Sequence, residues 1–349
     1  MLFRRLALFL AAAASLHAWD YEGHRTVNQL ALAGLPEEFP AFVKTPAAAE
    51  RIAFLAGEPD RWRSTNELPL KHVNGPDHFL DFEYLDDAGL PVATLSEFRY
   101  VYTAQFAAAH AAHPEKFPAV DPDKNKDHTR ELIGYLPWAI IENYAKLKSA
   151  FSYLRAFEEN GTPDEIANAQ ANALYIMGVM GHYVGDGSQP LHTTKHHNGW
   201  VGENPHNYTR SSSIHAWIDG GYIALGGLST ADLVARARPA HDLAIRPEGS
   251  PPATRNLIFE QTLAYLLTQH ALVEPLYQLD QTGALKPGSA DGGKAGREFI
   301  GEQLLRGGEM LSSLWLTAWK QAAPDVYLRA QLVKRKAAAT ATAAPATAQ

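Results

Sequence analysis

The stretch "TPDEIANAQANALYIMGVMGHYVGD", residues 162–186, decides the fold class. It opens on Thr162, Pro163, Asp164 and Glu165: a capping hydroxyl, a proline at the first helical position and acids in the first turn. Apolar residues then recur at helical spacing as far as Val184, so the stretch predicts a long helix. The same spacing runs through 24–35, 95–113 and 127–160, where Pro137 is expected to kink or split the helix at about Leu136. Further helical stretches fall at roughly 212–225, 229–238, 253–278 and 294–321. Residues 193–210, rich in Asn, Gly and His, read as a loop or short hairpin. Little of the chain alternates with period two, and there is no internal repeat or clear linker. The expectation is an all-α fold, one mostly helical domain over 19–335. A low-complexity tail, 336–349, is expected to be disordered.

Residues 1–18 have basic Arg4 and Arg5, an apolar run from Leu6 to Leu16 and small residues before Trp19, the pattern of a signal peptide. The apolar run is too short to span a bilayer comfortably. Cleavage after Ala18 leads to a secreted or periplasmic location with no membrane span. It also moves the net charge from −7 to −9, with 29 basic residues against 38 acidic. That balance argues against a broad electropositive nucleic-acid footprint. It does not exclude nucleic acid as a substrate, because bound metal ions would add positive charge that the count omits. With no cysteine in the chain, zinc would need His, carboxylate or backbone ligands.

His182 and Asp186 stand four apart at the end of the long helix, on one face, where they could grip one ion. His215 and Asp219 repeat the spacing in "SIHAWID", and His192 follows the first pair in "GDGSQPLH". Near the start, "WDYEGH" places His24 five residues after Trp19. After cleavage Trp19 would offer a free α-amine beside its carbonyl, an unusual chelate. "EPDRWR" (58–63) and "DHFLD" (77–81) add Asp60, Arg63, His78 and Asp81.

This ordered set resembles the trinuclear-zinc nuclease family of the S-one/P-one type, with which bacterial zinc phospholipases C share the fold and much of the zinc pattern. The resemblance extends by motif from Trp19 to about Asp219. It implies a helical domain with a zinc cluster at the bottom of a cleft. One zinc would take Asp60, His78, His182 and Asp186. A second would take the amine and carbonyl of Trp19 with His24, Asp186 bridging. The third would take His192, His215 and Asp219. The implied activity is hydrolysis of single-stranded RNA and DNA to 5′-phosphates, with 3′-nucleotidase activity a further expectation. A zinc-bridging hydroxide would attack phosphorus, Asp60 and Arg63 would serve catalysis, and no stable protein partner is implied.

Phe79 and Asp81 are expected to hold a base by stacking and hydrogen bonding, but the phospholipases carry a similar motif. Arg61 follows the ligand aspartate where the phospholipases have a choline-contacting tyrosine. The last pair ends in Asp219, where they have glutamate. The nucleases' Gly-Gly-Asn run is absent. Asn204 is the best candidate for its base-reading asparagine, with Asn198 and Asn207 competing. Alternatives are a phospholipase C acting on lipid head groups and a secreted zinc-binding protein without catalysis. The chain has no His-Glu-x-x-His, which disfavours a zinc protease.

Overall fold

Thr162 accepts from the Glu165 backbone N–H, and the Glu165 side chain accepts from the Thr162 N–H. This closed capping box starts the long helix where its sequence signals place it. The computed structural model describes residues 19–246, 249, 255–286 and 293–343. The expected signal peptide, residues 1–18, lies outside them, as do 344–349.

The helices, in chain order, are α1 (Tyr21–Gly34), α2 (Pro46–Leu55), α3 (Glu58–Arg63), α4 (Leu68–Asn74), α5 (Phe82–Asp87), α6 (Arg99–Ala112), α7 (Leu136–Asn160) and α8 (Pro163–Ser188). The short helices α9 (Ser213–Ala216), α10 (Tyr222–Leu225) and α11 (Thr230–Val234) follow. Last come α12 (Leu257–His270), α13 (Val273–Gln281), α14 (Lys294–Gln321) and α15 (Val326–Ala343). No strand occurs among the described residues, so the all-α expectation holds. Nor is any described helix long and apolar enough to cross a membrane.

Helix α8 packs between α1, α2, α7 and α14, around a core that includes Trp19, Trp138 and Trp315, all fully buried. Two glycines allow α1 to come close. A methyl group at Gly185 would stand 2.8 Å from His24 Nδ1, and one at Gly181 would overlap the Asn28 amide. Asn28 uses that room to donate to the carbonyls of Ile52 (2.8 Å) and Gly178 (3.2 Å), tying three helices together at a buried point.

Several expected boundaries shift, for local reasons. Pro137 does not kink a longer helix; it lies in the first turn of α7, which begins at Leu136. Residues 127–135, expected to be helical, are irregular because Gly134 adopts φ +106° and its backbone pairs with Leu80. The expected helix 253–278 breaks between His270 and Val273, since Pro275 could not follow the preceding turn without losing a backbone bond. Of the alanine-rich tail, residues 336–343 continue α15, in keeping with alanine's helix propensity.

Candidate metal centre

Four elements deliver polar side chains to one buried point at the C-terminal end of α8. His24 comes from α1, Asp60 from α3, and His182 and Asp186 from α8. His78 ends the short 3₁₀ turn Gly75–His78. Exposure is nil for His24, His78, His182 and Asp186, and 5% for Asp60. Five polar residues are not gathered in a dry core without compensation, because each unpaired group costs free energy.

Here the compensation is incomplete. His182 Nδ1 lies 2.6 Å from the Ala56 carbonyl, to which it must donate, leaving Nε2 as an acceptor. That nitrogen points at other acceptors: Asp186 Oδ2 at 3.3 Å and Asp60 Oδ1 at 3.7 Å. His78 Nδ1 sits between Asp186 Oδ2 (2.9 Å) and His182 Nε2 (3.0 Å). The His24 ring stacks on His182 at 3.8 Å, with Nε2 3.5 Å from Asp186 Oδ1. Both His24 nitrogens, His78 Nε2 and Asp186 Oδ1 have no hydrogen-bond partner. Burial, reinforced by His182, holds His24 well below the usual histidine range. Burial, with Arg63 nearby, does the same to His78. Burial likewise pushes Asp186 well above the usual carboxylate range. Imidazole lone pairs turned towards one another and disfavoured from protonation by burial, beside a carboxylate, are what a bound cation would satisfy.

A second set lies alongside. His192, in the 3₁₀ turn Pro190–Thr193, puts Nδ1 2.6 Å from the His78 carbonyl and turns Nε2 to His215 Nε2 at 3.0 Å. Asp219 Oδ2 stands 2.8 Å from His215 Nε2, in an alignment that makes no hydrogen bond. The expected helix over 212–225 is interrupted here by a π-helical turn, Trp217–Gly221, which carries Asp219. Such turns gather at functional sites. Burial pushes Asp219 upward, but the neighbouring His215 and His192 outweigh it and hold the carboxyl far below its ordinary range.

Three groups thus have ligand atoms within 4.8 Å of one another: His24–His182–Asp186, Asp60–His78–His182 and His192–His215–Asp219. Every side-chain metal ligand read from the sequence falls in one of them. The donors are imidazole nitrogens and carboxylate oxygens with no thiolate, a set that could hold divalent metal ions such as zinc. The Trp19 side chain is fully buried and donates from Nε1 to Ser188 Oγ at 2.9 Å. The next backbone N–H, of Asp20, bonds the Asp219 carbonyl, so the start of the described chain lies against the third group.

A cavity of about 360 Å³ is lined by Arg63, Phe79, Asp81, Tyr84, Lys195 and His197, among others. The Arg63 guanidinium donates from Nε to Asp60 Oδ1 at 2.7 Å, linking this cavity to the buried cluster. Phe79 and Asp81 are set by backbone bonds on both flanks: Leu80 N–H to the His192 carbonyl, Asp81 N–H to that of Ile133 and Leu136 N–H to that of Phe79. Asp81 is buried with Oδ1 unpartnered, and burial together with Glu83 raises its carboxyl well above the usual range.

The structure does not bring Asn204 to this cavity. Its amide is spent on the backbone of Tyr208, donating to the carbonyl and accepting from the N–H, both at 2.8 Å. Trp200 stacks on His196 at 4.0 Å and donates to the Glu203 carbonyl, closing the 193–210 loop on itself. Sequence reasoning passed over His197, which lines the cavity with its ring centre 6.0 Å from that of His215. It also assigned no role to Gln189, which bonds Asp219; only its place in "QPLH" marked it.

Compared with known proteins, the chain matches no family model and no curated protein.

Proposed function

We propose that this chain is a zinc-dependent phosphodiesterase of the S-one/P-one nuclease type. It would be exported through residues 1–18 and would cut single-stranded RNA and DNA to leave 5′-phosphates. The observation that carries this reading is the convergence of eight separated ligand side chains into three groups beside a cavity holding Arg63, Phe79 and Asp81. Their order along the chain is the order of the family's motifs. The amine and carbonyl of Trp19 would complete the group that holds His24 and Asp186 once residues 1–18 are removed.

Zinc held there would bring the pKa of bound water towards about 7 and polarise a phosphoryl group. The chain's own residues would do the rest. Phe79 offers a face for a base, and stacking of that kind is tolerant of sequence and needs an unpaired strand. Asp81, buried at the cavity wall with Oδ1 unpartnered, would hydrogen-bond the base edge. The guanidinium of Arg63, anchored on Asp60, would face charge building on the phosphoryl oxygens.

The test is a paired assay on the mature protein, with single-stranded RNA and DNA in one arm and phosphatidylcholine vesicles in the other, each with and without chelator. Chelator-sensitive cleavage of nucleic acid supports the reading. Lipid hydrolysis alone would transfer the site to a phospholipase C. Zinc binding with neither activity would make this a non-catalytic zinc-binding protein.

A further inference from the structure

We infer that Gln189 is the positioning residue of the third group: it occupies one oxygen of Asp219 and leaves only the other to a metal. Gln189 is fully buried and belongs to none of the three groups. The Leu191 N–H reaches its side chain at 2.7 Å; an N–H can only donate, so that end of the amide is Oε1. The NH₂ end therefore faces Asp219, with Nε2 2.6 Å from Oδ1. The second Asp219 oxygen, Oδ2, is the one near His215 Nε2 and His192 Nε2, at 2.8 and 4.0 Å.

The main chain of Gln189 is tied in as well. Its N–H donates to the Asp186 carbonyl, and its own carbonyl accepts from the His192 N–H, each at 3.0 Å. One residue thus connects the end of α8, the turn bearing His192 and the π-helical turn bearing Asp219. Without the amide, Asp219 would be free to rotate and offer both oxygens, and a buried Oδ1 would lack its donor. Partners of metal-binding carboxylates change metal affinity by about 10–100-fold when removed.

This inference rests on reading His192–His215–Asp219 as a metal group, and its test reads metal rather than turnover. Metal-free wild type, Gln189→Leu and Gln189→Met would be titrated with Zn²⁺ by calorimetry; methionine nearly matches glutamine in length, in case the leucine variant folds poorly. The expected result is a third-ion Kd raised about 10–100-fold in either folded variant, with the two other ions unchanged. In an Asp219→Asn background, Gln189→Leu should add no further loss, because the two residues act as one unit. The absorption spectrum of Co²⁺ at the third group should change in Gln189→Met but not in a surface control, Glu203→Gln. A third-ion Kd equal to wild type would overturn the inference, and so would equal weakening of all three ions, which is the mark of a packing role. A wild type that binds only two ions would overturn the metal reading of this group, and the inference with it.

Discussion

The two halves of the polar centre are built differently. In the paired half, His24, His182 and Asp186 ride on the long helices α1 and α8, and the two overlapping groups share His182. In the third group, every ligand sits on a short or irregular element: a 3₁₀ turn, the four-residue α9 and a π-helical turn. Helix packing does most to aim the first set, with His182 also held by its bond to the Ala56 carbonyl. The second is aimed by individual hydrogen bonds, from Gln189 to Asp219 and from His192 to the His78 carbonyl. The paired half should therefore fail when packing is disturbed, and the third group when a single polar contact is removed.

Asp186→Asn should break the paired half most severely. Asp186 lies within 4 Å of His24, His78, His182 and His192, so its loss removes the carboxylate that four imidazoles face. Metal analysis of the gel-filtered variant should show both ions of this half lost. The proposed phosphodiesterase activity should fall by more than the ~10²–10³-fold that follows removal of one charge-stabilising group. Full occupancy in Asp186→Asn would contradict the shared arrangement.

His215→Ala should remove one ion and leave the other two, with activity down by ~10²–10³-fold. The comparison would collapse if all three ions left together, because the halves would then be one site.

Gly185→Ala disturbs packing without replacing a ligand, although it crowds one. Its methyl group would press on His24 Nδ1, and overpacking of this kind costs about 1–3 kcal/mol. Thermal melts should show the loss, and metal titration should place it in the paired half alone. Weakening of the third ion by this substitution would mean that the halves are coupled through α8.

The smallest effect concerns pH. Partial burial in the cavity wall, with His215 nearby, lowers His197 to about 4, against an ordinary histidine value of about 6.5, although 39% of its side chain stays exposed. Between those values the unfolded chain binds more protons than the folded one. Stability from the neutral imidazole is therefore present above about pH 6.5 and is lost as pH falls towards 4. Melts of metal-free protein between pH 7 and 5 should show a shallower decline for His197→Asn than for wild type. Parallel declines would show that His197 titrates as it does in solvent.

Much of this contrast was legible in the sequence, and the illegible part has a physical cause. The helix over 162–186 could be read because its capping box and its apolar spacing are local. His182/Asp186 and His215/Asp219 could be picked out because a His and an Asp four apart share a helix face, whereas His24, Asp60, His78 and His192 came as ligands only from the resemblance. Residues 127–135 were misread because their shape is set by pairing with the chain near Leu80, a tertiary contact that helical spacing cannot register. Gln189 had no legible role because its partner is 30 residues away. Asn204 was chosen by analogy with the family's Gly-Gly-Asn run, whereas the loop takes its amide for its own closure.

The most direct measurement is a crystal structure of the mature, zinc-loaded protein with anomalous data at the zinc edge. The account predicts three peaks: two close together among Asp60, His78, His182, Asp186 and His24, and a third bounded by His192, His215 and Asp219 Oδ2. A centre with no peak, or with density confined to one half, would contradict it.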